Sequence, residues 1–543
     1  MRTAFLGLLF FLATMPWNAV VPDAPAGAAI LQDDPKDKPA PKRRPTFTIG
    51  KETTFVDGPI DKDGRIDYAT ALNKKLSQGV TPQNNAVVLL WRAHGPKPEG
   101  APMPAQFYTW LGIEAPPDKG DYFIDMGKFF KEEFKIDPNK EGETIWDLSQ
   151  KATDKPWTPK DYPKFAAWLK ANEKPLALVV EASKRPHYFS PLVPSDIDGS
   201  PGGLIAALLP GVQRCRTFAQ ALTMRAMLKL GQGDHDGAWQ DLLAVHRLGR
   251  LVARGGTLIE GLVGIAIEAI ASKAEITYLD RAKPSIKQLD ACLIDLKKLP
   301  PMPPMAEKMD LAERFMYLDI VMMLDKRGLK YLDLVAGLAG DGTKSATAAL
   351  NGVIDILVGQ VDWDPAMRNG NVFFDRMKAA MLAKDRATRE KEFAKIETDV
   401  KLLKVKSGDW TNVVLLLARG KEGAQAKGKV IGDVLVSLLL PAMHKVQNAY
   451  DRSQQVQDNL QLAFILAKYH RDNGRYPEKL DALAPKYLEK VPQDSFSGKP
   501  LVYRVTETGY FFYSVGINGK DEEGRTYGDN PPGDDLGVRM PPR

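Results

Sequence analysis

The chain contains 543 residues, of which 44% are hydrophobic and 26% are charged. This length predicts about three or four domains, and the composition excludes a wholly disordered chain and a polytopic membrane protein. The 74 basic and 68 acidic side chains leave a net charge of +6, which gives nucleic-acid binding little support. With two cysteines, the chain cannot build a disulfide framework, a four-cysteine zinc site or an iron–sulfur cluster.

The first 29 residues have the order of a secretory signal peptide. Arg2 precedes an apolar stretch over residues 4–15, and small residues follow at 26–29. The stretch is too short to span a bilayer, and the prolines after it argue against a buried helix. No cysteine lies near the cleavage site, so we expect no lipoprotein anchor. We predict export to the periplasm or the exterior, a disordered linker over 30–45 and no transmembrane segment in the mature chain.

Residues 46–194 are rich in aromatic residues and proline. Short apolar runs at 86–91 and 176–180 have the length of buried strands, whereas 68–76 and 165–170 have helical spacing. This part of the chain is therefore predicted to be a compact, mixed α/β domain.

Residues 195–437 have the three- and four-residue apolar spacing of helices, which predicts a helical domain. The pattern places helices over residues 217–230, 238–254, 258–279, 304–326, 346–361, 371–404 and 411–419. The helix at 371–404 is charged throughout, so we expect it to be exposed. Cys215 and Cys292 lie in this domain and either pair with each other or are buried as small hydrophobic residues; we favour the second.

The last helix predicted in the chain carries a regular stripe of small and apolar residues. Its members alternate four- and three-residue spacing: Ala442, Val446, Ala449, Ser453, Val456, Leu460, Ala463 and Ala467. Such a stripe predicts a helix that is packed along its whole length. Because small residues dominate, we expect contact with a sheet or helix of the same chain and not a free-standing coiled coil.

From about residue 438 the chain contains an ordered series of short motifs. After the long helix they are Tyr469-His-Arg-Asp-Asn-Gly-Arg-Tyr-Pro477, Pro485-Lys-Tyr-Leu488, Ser497-Gly-Lys-Pro-Leu-Val-Tyr503, Gly509-Tyr-Phe-Phe-Tyr-Ser-Val-Gly516 and Asn518-Gly-Lys520. This series resembles the C-terminal domain of the type II secretion system major pseudopilins, which are type IV pilin-like proteins.

The resemblance implies a pilin-like α+β module over residues 438–527, in which a long helix packs on a small antiparallel sheet. Apolar runs at 500–505 and 510–515, joined by a short turn, are the two strands expected. The module follows more than 400 other residues instead of a prepilin-peptidase site. We therefore interpret it as a borrowed domain and not as an ordinary filament subunit.

The same resemblance implies a calcium site in the loop after the last strand, because members of this family bind calcium there through aspartates and backbone carbonyls. The chain has Asn518, Asp521, Glu522 and Glu523 there, followed by Asp529, Asp534 and Asp535. Of these, Asp521, Asp534 and Asp535 are the candidate calcium ligands. Residues 528–543 are predicted to be an acidic, proline-rich tail, and the alternative to the calcium site is that its carboxylates are solvated and bind no ion. No cofactor other than calcium is expected.

The chain as a whole is predicted to be a multidomain, mainly α protein without an intact catalytic motif. We predict a non-enzymatic, exported envelope or secretion-associated protein that acts through contacts with other envelope or secreted proteins. The alternative is an exported, carbohydrate-directed hydrolase with an acid pair in the N-terminal domain, where Trp91, Trp110, Trp157 and Trp168 would stack on sugar rings. A third possibility makes the middle helices a scaffold for another exported protein.

Overall fold

A computed structural model describes residues 47–542, except 98–101, 139–143, 198–199, 208, 210, 329–330, 333–334, 336–360, 409–419 and 441–442. The predicted signal peptide and linker lie outside the described residues, as do the helix predicted at 411–419 and nearly all of the one at 346–361. The described residues are mainly helical, with a three-stranded antiparallel sheet near the C-terminus, which confirms this part of the fold prediction. Among the described helices, none has an apolar stretch of the length that spanning a bilayer requires.

The first part of the described chain consists of helices joined by turns and loops. These helices are α1 (Tyr68–Leu76), α2 (Ala86–His94), α3 (Ala105–Leu111), α4 (Met126–Phe134), α5 (Ile145–Asp154), α6 (Pro163–Ala171) and α7 (Glu173–Ala182). The apolar runs at 86–91 and 176–180 lie in α2 and α7. The described residues of 46–194 contain no strand, in contrast to the mixed α/β domain predicted from the sequence.

The helical structure of residues 86–91 has a local cause. α2 begins after Asn85, whose side chain accepts a hydrogen bond from the Val87 backbone N–H at 3.2 Å, and it ends before Gly95. Nearly every residue of α2 is buried, so its sequence has no polar face. A short helix that is buried on all sides has the same continuous apolar run as a buried strand, and periodicity cannot distinguish the two.

A two-stranded ribbon, β1 (Asp196–Ile197) and β2 (Ser200–Pro201), precedes the middle helices. Four helices follow: α8 (Val212–Gly231), α9 (His235–Val252), α10 (Leu258–Ala282) and α11 (Ile286–Lys298). The first three confirm the helices predicted at 217–230, 238–254 and 258–279, and they pack against one another. Caps define their starts, as at α10, where the Thr257 and Glu260 side chains form a capping box.

The chain then forms α12 (Met305–Lys308), a π-helical segment (Met309–Glu313), α13 (Arg314–Arg327), α14 (Asp364–Met381), α15 (Arg386–Gly408) and α16 (Gly420–Leu439). The single exposed helix predicted at 371–404 is in fact two helices, α14 and α15. Asp385 explains the break, because its carboxylate accepts the Thr388 N–H at 2.8 Å and so caps the start of α15. α14 is not an exposed helix either, since its Phe374 is buried.

The N-terminal residues and the middle helices share one hydrophobic core. Arg314 is completely buried, and its guanidinium lies 2.7 Å from the Asp310 carboxylate and 2.6 Å from that of Asp375 in α14. The Arg314 Cζ is also 4.2 Å from the centroid of the Phe55 ring. This contact ties the segment before α1 to the middle helices, so the boundary predicted at residue 194 does not divide the core.

The sheet near the C-terminus has the strand order β3 (Val502–Val505), β4 (Tyr510–Ser514) and β5 (Leu536–Met540), and both pairs are antiparallel. β3 and β4 lie within the two strands predicted at 500–505 and 510–515. β5 corrects the sequence prediction of an acidic, proline-rich tail over residues 528–543. Leu536, Val538 and Met540 are buried in alternation with less buried residues, which is the pattern of a strand with one face in the core.

The long helix α17 (Met443–Asn473) packs against α10, α11 and β5. Val446, Ser453, Leu460 and Ala463 of the predicted stripe are buried, so the expected contact with other elements of the same chain is present. Burial extends to polar side chains outside that stripe: Gln447, Arg452, Gln455, Gln457 and Asn459. We refer to α17 with strands β3–β5 as the α17–sheet unit.

A buried polar network connects α9, α10 and α17. His246 of α9 lies between two glutamates of α10, with Nδ1 at 3.1 Å from Glu268 Oε2 and Nε2 at 3.1 Å from Glu275 Oε1. Arg250 lies 3.3 Å from Glu268 and 3.4 Å from Gln457 of α17. Burial alone lowers the pKa of His246, but the two carboxylates raise it to about 10. His246 is therefore held as an imidazolium at neutral pH.

We expect the His246→Gln variant to lose about 3–5 kcal/mol of unfolding free energy at pH 7, because it removes the cation between two buried carboxylates and leaves only Arg250 beside them. The folded-state pKa of about 10 is above the usual 6.5, so the stabilisation is complete below pH 6.5 and is lost as the pH rises through 10. Urea unfolding between pH 7 and pH 10 should therefore show wild type and variant converging.

The matched control is His235→Gln, which changes the partly exposed histidine at the start of the same helix. It should follow the wild type at every pH. A His246→Gln effect that is equally large at pH 7 and pH 10 would show that the imidazolium charge is not the source of the stability.

Candidate metal centre

The acidic loop, residues 515–535, connects β4 to β5 and carries the candidate calcium ligands. Its start is fixed by Asp494, which is 2% exposed and accepts a hydrogen bond from the Ser514 hydroxyl at 2.7 Å. Gly516 follows with a φ of +67°, and a Cβ there would lie 2.3 Å from the Asp534 carbonyl oxygen. Only glycine fits this approach, which brings the start and the end of the loop together.

Three carboxylates of the acidic loop form one cluster: Glu522, Asp534 and Asp535. One oxygen atom from each lies within 4.8 Å of the other two. Asp534 is 6% exposed and Asp535 is 1% exposed, whereas Glu522 is partly exposed. We call these three residues the carboxylate cluster. In the part of the chain that the structure describes, no other set of three His, Cys, Asp or Glu residues meets this distance.

Backbone N–H groups of the loop hold the carboxylate cluster in place. The Asn518 N–H donates to Asp534 Oδ2 at 3.0 Å, and the N–H groups of Glu522 and Gly524 donate to Asp535 Oδ2 at 3.1 and 2.7 Å. The other oxygen of each aspartate, Oδ1, is buried and has no hydrogen-bond partner. An unsatisfied buried acceptor costs about 1–3 kcal/mol, and a cation bound to these two oxygens would remove that cost.

The cluster has an electrostatic cost at neutral pH. Burial raises the pKa of Asp534, and burial together with the charge of Glu522 raises the pKa of Asp535 to about 6. Burial would also raise the pKa of Glu522, but the Asn518 amide, which donates at 2.6 Å, and the Asp534 N–H hold it below its usual value. When all three carboxylates are ionised they repel one another, and a bound cation would relieve this repulsion.

The donor set favours a hard cation. All three side chains offer oxygen atoms, which are the ligands that calcium prefers, and the cluster contains no thiolate or imidazole of the kind that selects zinc or copper. Calcium takes six to eight oxygen ligands, so backbone carbonyls and water would complete its shell. The residues present therefore fit calcium.

Two of the three predicted calcium ligands, Asp534 and Asp535, lie in the carboxylate cluster. The third, Asp521, lies beside it. Its Oδ1 accepts hydrogen bonds from the Tyr513 hydroxyl at 2.9 Å and from the Glu523 N–H at 2.8 Å. The structure thus brings two of the predicted residues together and uses the third to tie the loop to β4.

Glu522 is the member of the cluster that the sequence did not single out. It stands between two other acidic residues, and composition does not distinguish them. Which of these acidic residues joins the cluster depends on the backbone turn at Glu523, which has a φ of +61°. Such left-handed backbone is uncommon outside glycine and asparagine, so the sequence contains no local signal for it.

Helix α17 supports the end of the acidic loop. Arg452, which is 9% exposed, donates to the Asp534 carbonyl oxygen at 3.4 Å, and its Cζ lies 4.9 Å from the centroid of the Tyr527 ring. Asn459 donates to the Leu536 carbonyl oxygen at 2.8 Å. The carboxylate cluster is therefore anchored to the same long helix that packs on α10.

The tryptophans that the hydrolase alternative requires are mostly inaccessible. Trp91, Trp157 and Trp168 are 2%, 3% and 1% exposed, and Trp110 is partly exposed. A buried indole cannot stack on a sugar ring, so three of these four tryptophans do not support the hydrolase alternative.

Both cysteines are buried and neither forms a disulfide. Burial raises the pKa of Cys215 to about 12 and also raises the pKa of Cys292, so neither thiol is reactive at neutral pH. They pack as small hydrophobic residues, which is the interpretation favoured from the sequence.

We expect calcium to raise the thermal unfolding midpoint of the mature chain. Binding only to the folded state adds RT ln(1 + [L]/Kd), about 2.7 kcal/mol at a hundredfold excess over Kd. Calorimetry in millimolar calcium and in chelator measures the shift. Asp535→Asn should abolish it, because it removes a buried ligand, whereas Asp521→Asn should retain it, because Asp521 lies outside the cluster.

Equal midpoints in calcium and in chelator would mean that the three carboxylates share no ion. A shift that is lost in Asp521→Asn but kept in Asp535→Asn would place the ion at a different set of ligands.

No family model, curated protein or solved structure matches the chain. The resemblance to pseudopilins therefore depends on the order of short motifs between residues 438 and 527, and it stays a prediction for the α17–sheet unit. The geometry of the carboxylate cluster is independent of that resemblance, since it follows from distances and burial in this chain.

Proposed function

We propose that the chain is an exported, non-enzymatic envelope or secretion-associated protein, that it acts through protein–protein contacts, and that its acidic loop binds calcium. The observation that carries the proposal is the carboxylate cluster, in which Asp534 Oδ1 and Asp535 Oδ1 are buried without hydrogen-bond partners. Calcium sites of extracellular modules bind at about 10⁻⁴–10⁻³ M, which suits a loop that is completed after export.

Two independent features favour export. The order of charged, apolar and small residues over positions 1–29 is that of a signal peptide. The carboxylate cluster, at the other end of the chain, has the oxygen-only donor set that fits a cation abundant outside the cytoplasm. A signal peptide and a loop that needs calcium are both consistent with a location outside the cytoplasm.

The buried polar groups favour a binding role over hydrolysis, because they contact one another within the fold. His246 and Arg314 are fully buried, and both are engaged with carboxylates of neighbouring helices. A cavity between α1 and α13 is lined by seven apolar side chains and Thr257, with no acid or base among them. These groups stabilise the fold and do not form a pair of carboxylates facing a cleft, which glycoside hydrolysis requires.

The resemblance of residues 438–527 to pseudopilins supports the same proposal. It implies a long helix packed on a small antiparallel sheet, and the contact of α17 with β5 of the three-stranded sheet supports this. It also implies calcium in the loop that follows β4, where the carboxylate cluster lies. The pseudopilin-like module is therefore the part of the chain in which we place calcium-dependent contacts with other exported proteins.

We expect the native protein to begin near Ala29 or Ile30 and to fractionate outside the cytoplasm. N-terminal sequencing of the protein from its own cells, together with fractionation, measures both. A native chain that retains Met1 and remains in the cytoplasmic fraction would contradict export.

The binding role is tested by affinity capture from the envelope fraction with the mature chain as bait. Wild type in calcium, wild type in chelator and Asp535→Asn in calcium are compared. Contacts made through the pseudopilin-like module should be retained only in the first sample, because the other two lack the cation. Identical captures in all three would show that the acidic loop takes no part in the contacts.

A further inference from the structure

We infer that a cation at the carboxylate cluster controls how firmly helix α15 is docked on the α17–sheet unit, and that Arg386 transmits this effect. The inference rests on the proposed calcium site and concerns its regulation. It follows from a chain of contacts that leads from the cluster, through the first residues of the acidic loop, to the first residue of α15.

Arg386 makes three contacts with α17 and with the loops that join the strands of the sheet to each other and to the rest of the module. Its Nη2 donates to the Ile517 carbonyl oxygen at 3.4 Å, and its Nη1 lies 3.3 Å from the carboxylate of Asp451 in α17. Its Cζ lies 4.7 Å from the centroid of the Phe496 ring. The Arg386 side chain is 17% exposed, so these contacts are largely shielded from solvent.

α15 also packs against α14 and α16, and two further sets of side chains join it to α17. Arg389 lies 2.5 Å from Asp451. His444, in the first turn of α17, has its ring nitrogens 2.8 Å from Glu390 and 2.9 Å from Glu397. Among these contacts, the bond from Arg386 to Ile517 is the one that reaches the acidic loop.

Ile517 is positioned by two members of the carboxylate cluster. The next residue, Asn518, donates its N–H to Asp534 Oδ2 at 3.0 Å and its side-chain amide to Glu522 Oε1 at 2.6 Å. The glycines on either side of these two residues have φ values of +67° and +66°. This short segment has no regular secondary structure, so its position depends on the carboxylates that it contacts.

Repulsion within the cluster therefore acts on Arg386. Without a cation, three ionised carboxylates within 4.8 Å lower their energy by moving apart. Movement of Asp534 or Glu522 carries Asn518 with it, and so displaces the carbonyl oxygen that Arg386 binds. A bound cation holds the carboxylates together and keeps that oxygen in reach of the guanidinium.

The coupling must act in both directions. If the cation favours the bond between Arg386 and Ile517, that bond favours the cation by the same factor. Loss of the guanidinium should therefore weaken calcium binding, although Arg386 is not a ligand. A variant that alters the docking of α15 without touching the acidic loop should not do so.

The test is calorimetric titration of the mature chain with calcium, using wild type, Arg386→Gln and Arg389→Gln. We expect Arg386→Gln to weaken calcium binding about three- to tenfold. Arg389→Gln is the matched control, because it removes a neighbouring contact to Asp451 and none to the loop. Its affinity should equal that of the wild type.

Hydrogen exchange gives the reverse readout. In wild type, the amides of residues 386–403 should exchange more slowly in calcium than in chelator. Asp535→Asn should remove this difference, because it removes the cation. If Arg386→Gln fails to fold, the comparison of wild type with Asp535→Asn decides the question.

These experiments distinguish a failure of the inference from a failure of the proposed calcium site. If wild type and Arg386→Gln bind calcium equally and exchange in α15 is independent of calcium, the inference is overturned and the calcium site stands. If wild type binds no calcium, the proposed site is itself wrong and the inference falls with it.

Discussion

Helix α17 is the element on which the rest of the structure depends, because the middle helices and the C-terminal sheet both pack on it. Its buried polar side chains divide between the two. Gln457 donates to the Ser272 hydroxyl of α10 at 2.9 Å, whereas Asn459 donates to the Leu536 carbonyl oxygen of β5 at 2.8 Å. A shift of α17 along its axis would break both bonds and leave buried polar groups unsatisfied. Helix α17 therefore fixes the position of the C-terminal sheet relative to the middle helices.

The candidate metal centre follows from that register. Arg452 of α17 binds the backbone of Asp534, and Asn459 binds the backbone of Leu536. The acidic loop must therefore span the distance between β4 and β5. The loop closes by gathering carboxylates against backbone N–H groups, which leaves two buried oxygens without partners. A cation balances this arrangement, and its effect reaches α15 because Arg386 binds the same loop. The packing of α17, the cation at the carboxylate cluster and the docking of α15 therefore depend on one another.

Much of the fold could be predicted from the sequence, for identifiable reasons. α8, α9 and α10 have clear helical spacing between turn-forming residues, whereas α2 has no polar face, so its apolar run does not distinguish a helix from a strand. β5 was missed because Pro531, Pro532 and neighbouring aspartates indicate a tail, and five residues of alternation are a weak signal against them. Asp534 and Asp535 were predicted from the pseudopilin resemblance. Glu522 depends on the backbone turn beside it, and the glutamate partners of His246 depend on how two helices pack, so neither could be predicted.

The claim that α17 joins two layers into one cooperative structure is tested most directly by native-state hydrogen exchange of the mature chain at increasing denaturant. If it is correct, amides in α10 and in residues 455–466 of α17 open with the same free energy and the same dependence on denaturant. The opposite result is exchange in α17 and β4 at a distinctly lower free energy while α10 stays protected. That result would show that the C-terminal module unfolds by itself, and it would contradict this account.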